Sequence, residues 1–437
     1  MTTRPAATEA PPPQDRVFLF LQGPHGPFFF QLGQKLAKTG ATVWRIGFNM
    51  GDSAFWPQRR SYVPFRADPA DWSGFLCQIL DERGITDLVL YGDTRWMHAE
   101  AVTAAKARGL RVHVFEEGYL RPYWVSYERG GSNGHSPLME MPLDRMRAAQ
   151  ADPAREAPVP PCHWGDMRQH VFYGAAYHGF VMFLNQRYRR FRPHRALNVA
   201  QEFRLYLRRL VLMPFQGLER RLATFRIQQG GFPYHLALLQ LEHDSAFQNH
   251  APFESQAEFL ELVITEFASG APGHHHLVFK AHPLEDGRAP LRRDIRRFAR
   301  AAGIADRVHY LRGGKLAGIL DEARSAVTVN STSGQQALWR GIPLKAFGAA
   351  VYNKPELVSD QPLSEFFRAP IRPNRTAYQE FRTYLLQTSQ LPGSFYASRG
   401  RRQLLRTVVD LILAERDPYA LEPPRTAADP QQLRLVK

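Results

Sequence analysis

The chain has 437 residues, with Lys+Arg 56 against Asp+Glu 41 for a formal charge of +15, and is 44% hydrophobic and 12% aromatic. That length favours two domains over a single core, and that apolar content excludes a wholly disordered chain. Cys77 and Cys162 are too few and too far apart for a disulfide framework or a CxxC metal knuckle, which fits a reducing compartment, the cytoplasm.

Residues 1–15 are rich in Pro, Ala and Thr and lack the apolar segment of a secretory signal, so a disordered tail is expected there. No apolar run approaches the roughly 20 residues that span a bilayer. The expectation is a soluble or peripheral protein. Residues 17–21 are an apolar run, followed by Gln22-Gly23-Pro24-His25-Gly26-Pro27 and a helical pattern through Phe28, Leu32 and Leu36. This order reads as strand, turn, helix. Gly40 stops the helix, and residues 42–46 resume as a strand. The alternation repeats with a strand at 85–91, a helix at 99–107 closed by Gly109, and a strand at 112–115. A second series opens near Phe232, with strands at 236–241, 276–280, 308–311 and 325–329. Strand alternating with helix implies parallel pairing, so the expected class is α/β with two Rossmann-like lobes, 16–150 and 231–420, and a tail at 421–437. Ligands of such lobes gather beyond the carboxyl ends of the strands.

Residues 151–230 form a different kind of segment between the lobes. From Met167 to Gln229 there are twelve arginines against two acids, Glu202 and Glu219, interleaved with Phe172, Tyr177, Phe183, Phe215 and other apolar residues. A basic, aromatic-rich helical insert reads as a segment that lies on anionic lipid. The alternative is a helical pair that packs its apolar side on the core and wets its arginines. Nucleic acid is the weakest reading, because no binding fold accompanies the charge.

Four strand ends carry candidate chemistry. Glu116-Glu117-Gly118 follows the strand at 112–115, where one carboxylate can aim into a cleft while its neighbour faces away. Gln240-Leu241-Glu242-His243-Asp244-Ser245 offers Asp244 as nucleophile, base or ribose ligand, or as a helix cap. Lys280-Ala281-His282-Pro283 joins two cation-forming residues that suit a phosphate, with the proline holding His282 extended. The preceding His274-His275-His276 is expected as an exposed turn, since neighbours on a strand diverge too far to share a metal. Asn330-Ser331-Thr332-Ser333-Gly334 runs into a helix whose first amides and hydroxyls make an anion site, compatible with a capping box between Ser333 and Gln336. Gly313-Gly314-Lys315 is a weak loop signal.

Together with Leu21-Gln22-Gly23-Pro24 and Phe48-Asn49-Met50-Gly51-Asp52, these motifs resemble, from about residue 17 to 357, the capsule polysaccharide synthesis/export family of the KpsS/LipB type. The resemblance implies a GT-B-like retaining β-Kdo transferase that uses CMP-Kdo. It further implies an anionic lysophosphatidylglycerol-type acceptor at the inner face of the inner membrane, and partnership with other capsule assembly proteins. His282-Pro283 also resembles the His-Pro motif of CMP-sugar transferases, which implies that His282 contacts the donor phosphate with Ser331, Thr332 and Ser333, helped by Lys280, Gln240 and Asn330. Retention by double displacement assigns Asp244 as nucleophile and Glu117 as acid/base, with Glu116 its competitor. A donor with one phosphate needs no metal, and no cofactor is expected. An inverting CMP-sugar transferase and a non-catalytic assembly or export factor are the alternatives.

Overall fold

The computed structural model describes residues 15–121, 124–150, 167–192 and 199–420. The expected tails and the start of the insert, residues 151–166, fall almost wholly outside them.

Seven strands form one sheet and five another. In the first lobe β1 (Val17–Phe20), β2 (Thr42–Gly47), β3 (Tyr62–Pro64), β4 (Asp87–Tyr91) and β5 (Arg111–Glu117) pair in parallel, and β6 (Trp124–Arg129) lies antiparallel to β5. In the second lobe β7 (Tyr234–Leu238), β8 (His276–Lys280), β9 (Val308–Leu311), β10 (Ser325–Thr328) and β11 (Leu344–Ala346) are all parallel. A last strand, β12 (Gln390–Pro392), returns to the first sheet beside β6.

The two sheets share one plan. Their orders run β3-β2-β1-β4-β5 and β9-β8-β7-β10-β11, so each reverses direction beside its first strand. Such a reversal opens a crevice beyond the strand ends where ligands bind. The strands that flank the reversals are buried almost end to end, because helices cover both faces of a parallel sheet. Separate apolar clusters cover the sheet faces, and one of them joins the second lobe to Tyr119, Trp124, Leu138 and Met146 of the first.

Several expected boundaries move. β5 runs on through Glu117, so both glutamates lie on the strand rather than after it. β7 ends at Leu238, which puts residues 239–241 beyond the sheet. The second lobe does not extend to 420. From about β12 onward the chain belongs to the first lobe, where Leu391, Phe395, Leu404, Leu405, Val408 and Ile412 join Phe28 and Phe115 in one core. Periodicity along a chain marks an apolar face without saying which sheet it covers, and that face was left open by the first lobe's own helices. The histidine run is an exposed turn only at His274: His275 is buried, with its Nδ1 3.0 Å from His235 Nε2, and His276 opens β8.

The described part of the insert is helical, Met167–Leu184 and Val199–Gln229. Each helix docks on a different lobe. Tyr177 and Val181 of the first are buried against the first lobe, and Ile227 of the second joins a core cluster of the second lobe. Both helices keep a second, uncovered apolar face. Val171, Phe172, Phe183 and Leu184 are exposed on one, and Val211, Phe215, Leu218, Leu222 and Phe225 on the other. The latter five recur at spacings of four and three, a single stripe along the helix. No helix among the described residues is long and apolar enough to cross a membrane.

Candidate active site

At the reversal of the first sheet, Gln22 leaves β1 and enters a buried polar network. Its Nε2 donates to Tyr177 OH at 2.8 Å and to Asp52 Oδ2 at 3.2 Å, and its Oε1 accepts from Arg95 Nη1 at 2.7 Å. Asp52 also takes Arg45 Nη2 at 3.0 Å and the Phe48 amide at 3.0 Å. Asn49 caps the short helix Met50–Ala54 through the Asp52 amide and donates to Tyr177 OH at 2.8 Å. His25 stacks on Tyr177 with ring centroids 4.4 Å apart. The Gln22 and Asn49-to-Asp52 motifs therefore hold the insert's first helix on this lobe.

Beyond β4, Gly92 adopts φ +66°, and a Cβ there would sit 2.9 Å from Glu116 Oε2. Glycine is the residue that admits both the turn and the carboxylate. Burial pushes Glu116 up to about 7, opposed by a hydrogen bond from the Glu117 amide. Glu117 points toward other partners, with Tyr91 OH 3.5 Å from its Oε1. Alternation along β5 thus separates the two carboxylates.

At the reversal of the second sheet, Gln240 and Asn330 face each other from the β7 and β10 ends. Gln240 Nε2 donates to Asn330 Oδ1 at 2.5 Å, and the Asn330 amide donates back to Gln240 Oε1 at 3.2 Å. Asn330 Nδ2 reaches on to the carbonyls of Ala246 and His250. Asp244 is exposed and caps the helix Ser245–His250, accepting from the Ser245 amide at 3.1 Å. Lys280 at the end of β8 is buried, with 5% exposure, and no carboxylate among the described residues pairs with it. His282, half-buried, accepts the Leu284 amide on Nδ1 at 3.1 Å. Ser331, Thr332 and Ser333 are half-buried before the helix Gly334–Trp339. The expected capping box is absent: Ser333 is already helical, at φ −61° and ψ −23°, and its side chain makes no cap bond.

Hydrogen bonds join these segments both across the lobes and within the second one. Gln335 Nε2, one turn past the hydroxyl loop, donates to the Tyr119 carbonyl at 3.1 Å, directly after Glu116-Glu117-Gly118. The Leu239 amide donates to the Lys280 carbonyl at 2.9 Å, tying the segment leading to Asp244 to the Lys280–His282 segment. The structure therefore brings the four predicted strand ends into one connected seam.

A further cluster on this seam escaped sequence reasoning. Asp93 Oδ2 accepts the Ser132 amide at 2.9 Å and lies 3.2 Å from His135 Nδ1, while the His135 and His250 rings meet edge to face at 4.8 Å. Asp93 Oδ1 and His250 Nε2 are buried with no hydrogen-bond partner among the described residues. A carboxylate that orients an imidazole can hold or move a proton. The available signal was Gly92-Asp93 directly after an apolar strand; the histidines come from distant segments.

The profile of the capsule polysaccharide biosynthesis protein family matches residues 86–396. The chain is 30% identical over 385 residues to the capsule polysaccharide export protein KpsS of Escherichia coli, covering 87% of this chain and 96% of that one. It is 31% identical over 387 residues to the capsule polysaccharide modification protein LipB of Neisseria meningitidis serogroup B, covering 87% and 91%. Among solved structures, the KpsC beta Kdo 2,7 transferase of Thermosulfurimonas dismutans aligns over 91% of this chain and 100% of its own, at 13% identity and a TM-score of 0.44. A glycosyltransferase of Rickettsia africae aligns over 92% and 99%, at 9% identity and a TM-score of 0.35.

Proposed function

The chain belongs to the capsule polysaccharide biosynthesis family, and from that premise we propose that it is a glycosyltransferase moving Kdo from CMP-Kdo to an anionic lysophospholipid. One observation carries the reading: a proton-binding carboxylate, Glu116, and a buried cation, Lys280, that has no carboxylate partner among the described residues lie at matching ends of two sheets whose loops touch through Gln335 and Tyr119. The first suits an acceptor hydroxyl, the second a donor phosphate.

In this reading the phosphate of CMP-Kdo rests on Lys280 and His282 and on the loop of Ser331, Thr332 and Ser333, with Gln240 and Asn330 bracing the strand ends behind it. Asp244 attacks the anomeric carbon. The bond from that carbon to the phosphate oxygen breaks, the carboxylate ester forms, and CMP leaves with the electron pair. The acceptor hydroxyl then attacks the same carbon, its proton passes to Glu116, and the ester bond to Asp244 breaks. Of the two adjacent glutamates, Glu116 receives this role because burial makes it a stronger base than an ordinary carboxylate. Cations accommodate the single phosphate, so the reading calls for no metal; activity lost to a chelator and restored by a divalent ion would contradict it.

The insert supplies the acceptor's surroundings. Its exposed stripe of Val211, Phe215, Leu218, Leu222 and Phe225, next to exposed Arg221 and Arg226, suits peripheral docking on an anionic inner-membrane surface. The test is mass spectrometry of a lysophosphatidylglycerol acceptor incubated with CMP-Kdo and, separately, with CMP-sialic acid. A product heavier by one Kdo in the first reaction alone is expected. No product, or product from the sialic acid donor alone, would overturn the reading.

A further inference from the structure

The insert does more than face lipid: its second helix lies across the donor end of the second sheet. Arg220 is half-buried there, and a Cβ on Gly314 would sit 2.9 Å from Arg220 Cδ and 3.7 Å from its Nε. Gly314 has φ +91° and Gly313 has φ +60°. A Cβ on Gly313 would in turn lie 3.3 Å from Pro283 Cα and 3.9 Å from the His282 carbonyl oxygen. The arginine stem, the two glycines and the His282-Pro283 turn are thus stacked in direct succession, and side chains at 313 or 314 would push the arginine off the turn.

The charges on this surface are unbalanced. Lys280, 5% exposed, has no carboxylate partner among the described residues. Its ammonium is lowered to about 8 by burial and by the Arg220 guanidinium. The acids close by are engaged elsewhere. Glu219 serves Arg292 at 2.5 Å and Arg312 at 3.8 Å, and Glu285 accepts the Gly287 amide at 2.9 Å. Two cations near enough to repel, one of them buried and without a carboxylate partner among the described residues, are unfavourable until an anion arrives.

We propose that Arg220 and Lys280 form one phosphate site, built jointly by the insert and the second lobe, so that the insert completes the donor pocket as well as contacting lipid. This rests on the proposed donor chemistry for its occupant, a nucleotide phosphate. A phospholipid headgroup offers the same group, and the experiment separates the two sources.

The full chain, its Arg220→Ala variant and its Arg220→Gln variant are titrated calorimetrically with CMP. Glutamine keeps part of the stem over Gly314 and removes the charge, so it answers the question if the alanine variant fails to fold. Both variants are expected to bind CMP roughly 10-fold or more weakly, the scale of a lost charge-assisted hydrogen bond, with Arg220→Lys recovering part of the loss. A second arm measures sedimentation with lysophosphatidylglycerol-containing vesicles against phosphatidylcholine vesicles. Unchanged CMP affinity in folded variants, with unchanged preference for the anionic vesicles, overturns the joint site. If the unsubstituted chain binds no CMP, the donor reading fails by itself. The joint phosphate site then stands only if the variants lose anionic-vesicle preference, and falls if they keep it.

Discussion

At the reversal of the first sheet most charged groups are settled among themselves, with Arg45 Nε and Asp93 Oδ1 the buried atoms left without a hydrogen-bond partner among the described residues. Asp52 is held by Arg45, Gln22, Tyr177 and the Phe48 amide, its own amide donates to Asn49, and Arg95 reaches Gln22. The equivalent reversal of the second sheet is different. There Lys280 is buried and feels the charge of Arg220, and His282 and three hydroxyl side chains stand half-buried around the same strand ends. A satisfied buried network rigidifies the frame it sits in, whereas an uncompensated buried charge costs stability until a ligand arrives. In the proposed reading, one plan of strands thus serves as a frame in one lobe and as a receptor in the other. Glu116 is the exception within the frame, a carboxylate that burial keeps near its protonated state.

The largest expected effect breaks the receptor side. Asp244→Ala should slow sugar transfer by roughly 1000-fold or more while CMP affinity stays within about 2-fold, since a nucleophile at 244, as proposed, would act on the sugar rather than the phosphate. Transfer rates and calorimetry read the two quantities separately, and near-normal transfer would remove Asp244 from the mechanism. Next comes the exception in the frame. Glu116→Gln should lower transfer by about 10²- to 10⁴-fold, the range of a lost general base. The pH profile carries the sign. Glu116 accepts a proton only when ionised, so the rate of the unsubstituted chain should rise with pH through about 7, and this rise should vanish in the variant. If Glu117→Gln removed it instead, the two glutamates would exchange roles.

Smaller effects test the frame itself. Tyr177→Phe leaves the amide donors of Gln22 and Asn49 without their shared acceptor. It should cost about 1–3 kcal/mol in chemical denaturation and leave CMP affinity unchanged. A large loss of CMP affinity would show that frame and receptor are not separable. The smallest concerns Glu128, buried beneath the Tyr119 loop, where it accepts hydrogen bonds from Tyr119, Ser136 and Tyr419. Burial raises it from 4.5 to about 7, so between those values the folded chain keeps a proton that the unfolded chain has lost. Stability should therefore fall as pH rises across that window and level off above it. Glu128→Gln should flatten this part of the melting-temperature profile, and an unchanged slope would locate the titration elsewhere.

Much of the frame was legible because parallel strands covered on both faces appear as unbroken apolar runs, and because Gly40 and Gly109 mark helix ends. The motifs stood out for the same reason, each following directly on such a run. Strand order was not legible, since it depends on which runs meet in space. Nor was the return of β12 and the helix Ser398–Leu413 to the first lobe, as their apolar spacing would serve either sheet. The insert's arginines and aromatics suggested lipid. What the pattern concealed was that Tyr177 binds the first lobe's network and that Arg220 reaches the second lobe's strand ends. Each is one polar residue among many, distinguished only by what lies opposite it. The Asp93–His135–His250 cluster was hidden likewise, assembled from three segments across the seam.

The central claim is that a cytidine nucleotide places its phosphate at the carboxyl end of β8 and faces Glu116 across the seam. A crystal of the full chain soaked with CMP tests it most directly. The account predicts phosphate oxygens within about 3 Å of Lys280 Nζ, the His282 ring and the Ser331–Ser333 loop. A nucleotide bound away from β8, or bound there with its phosphate turned toward solvent, would contradict it.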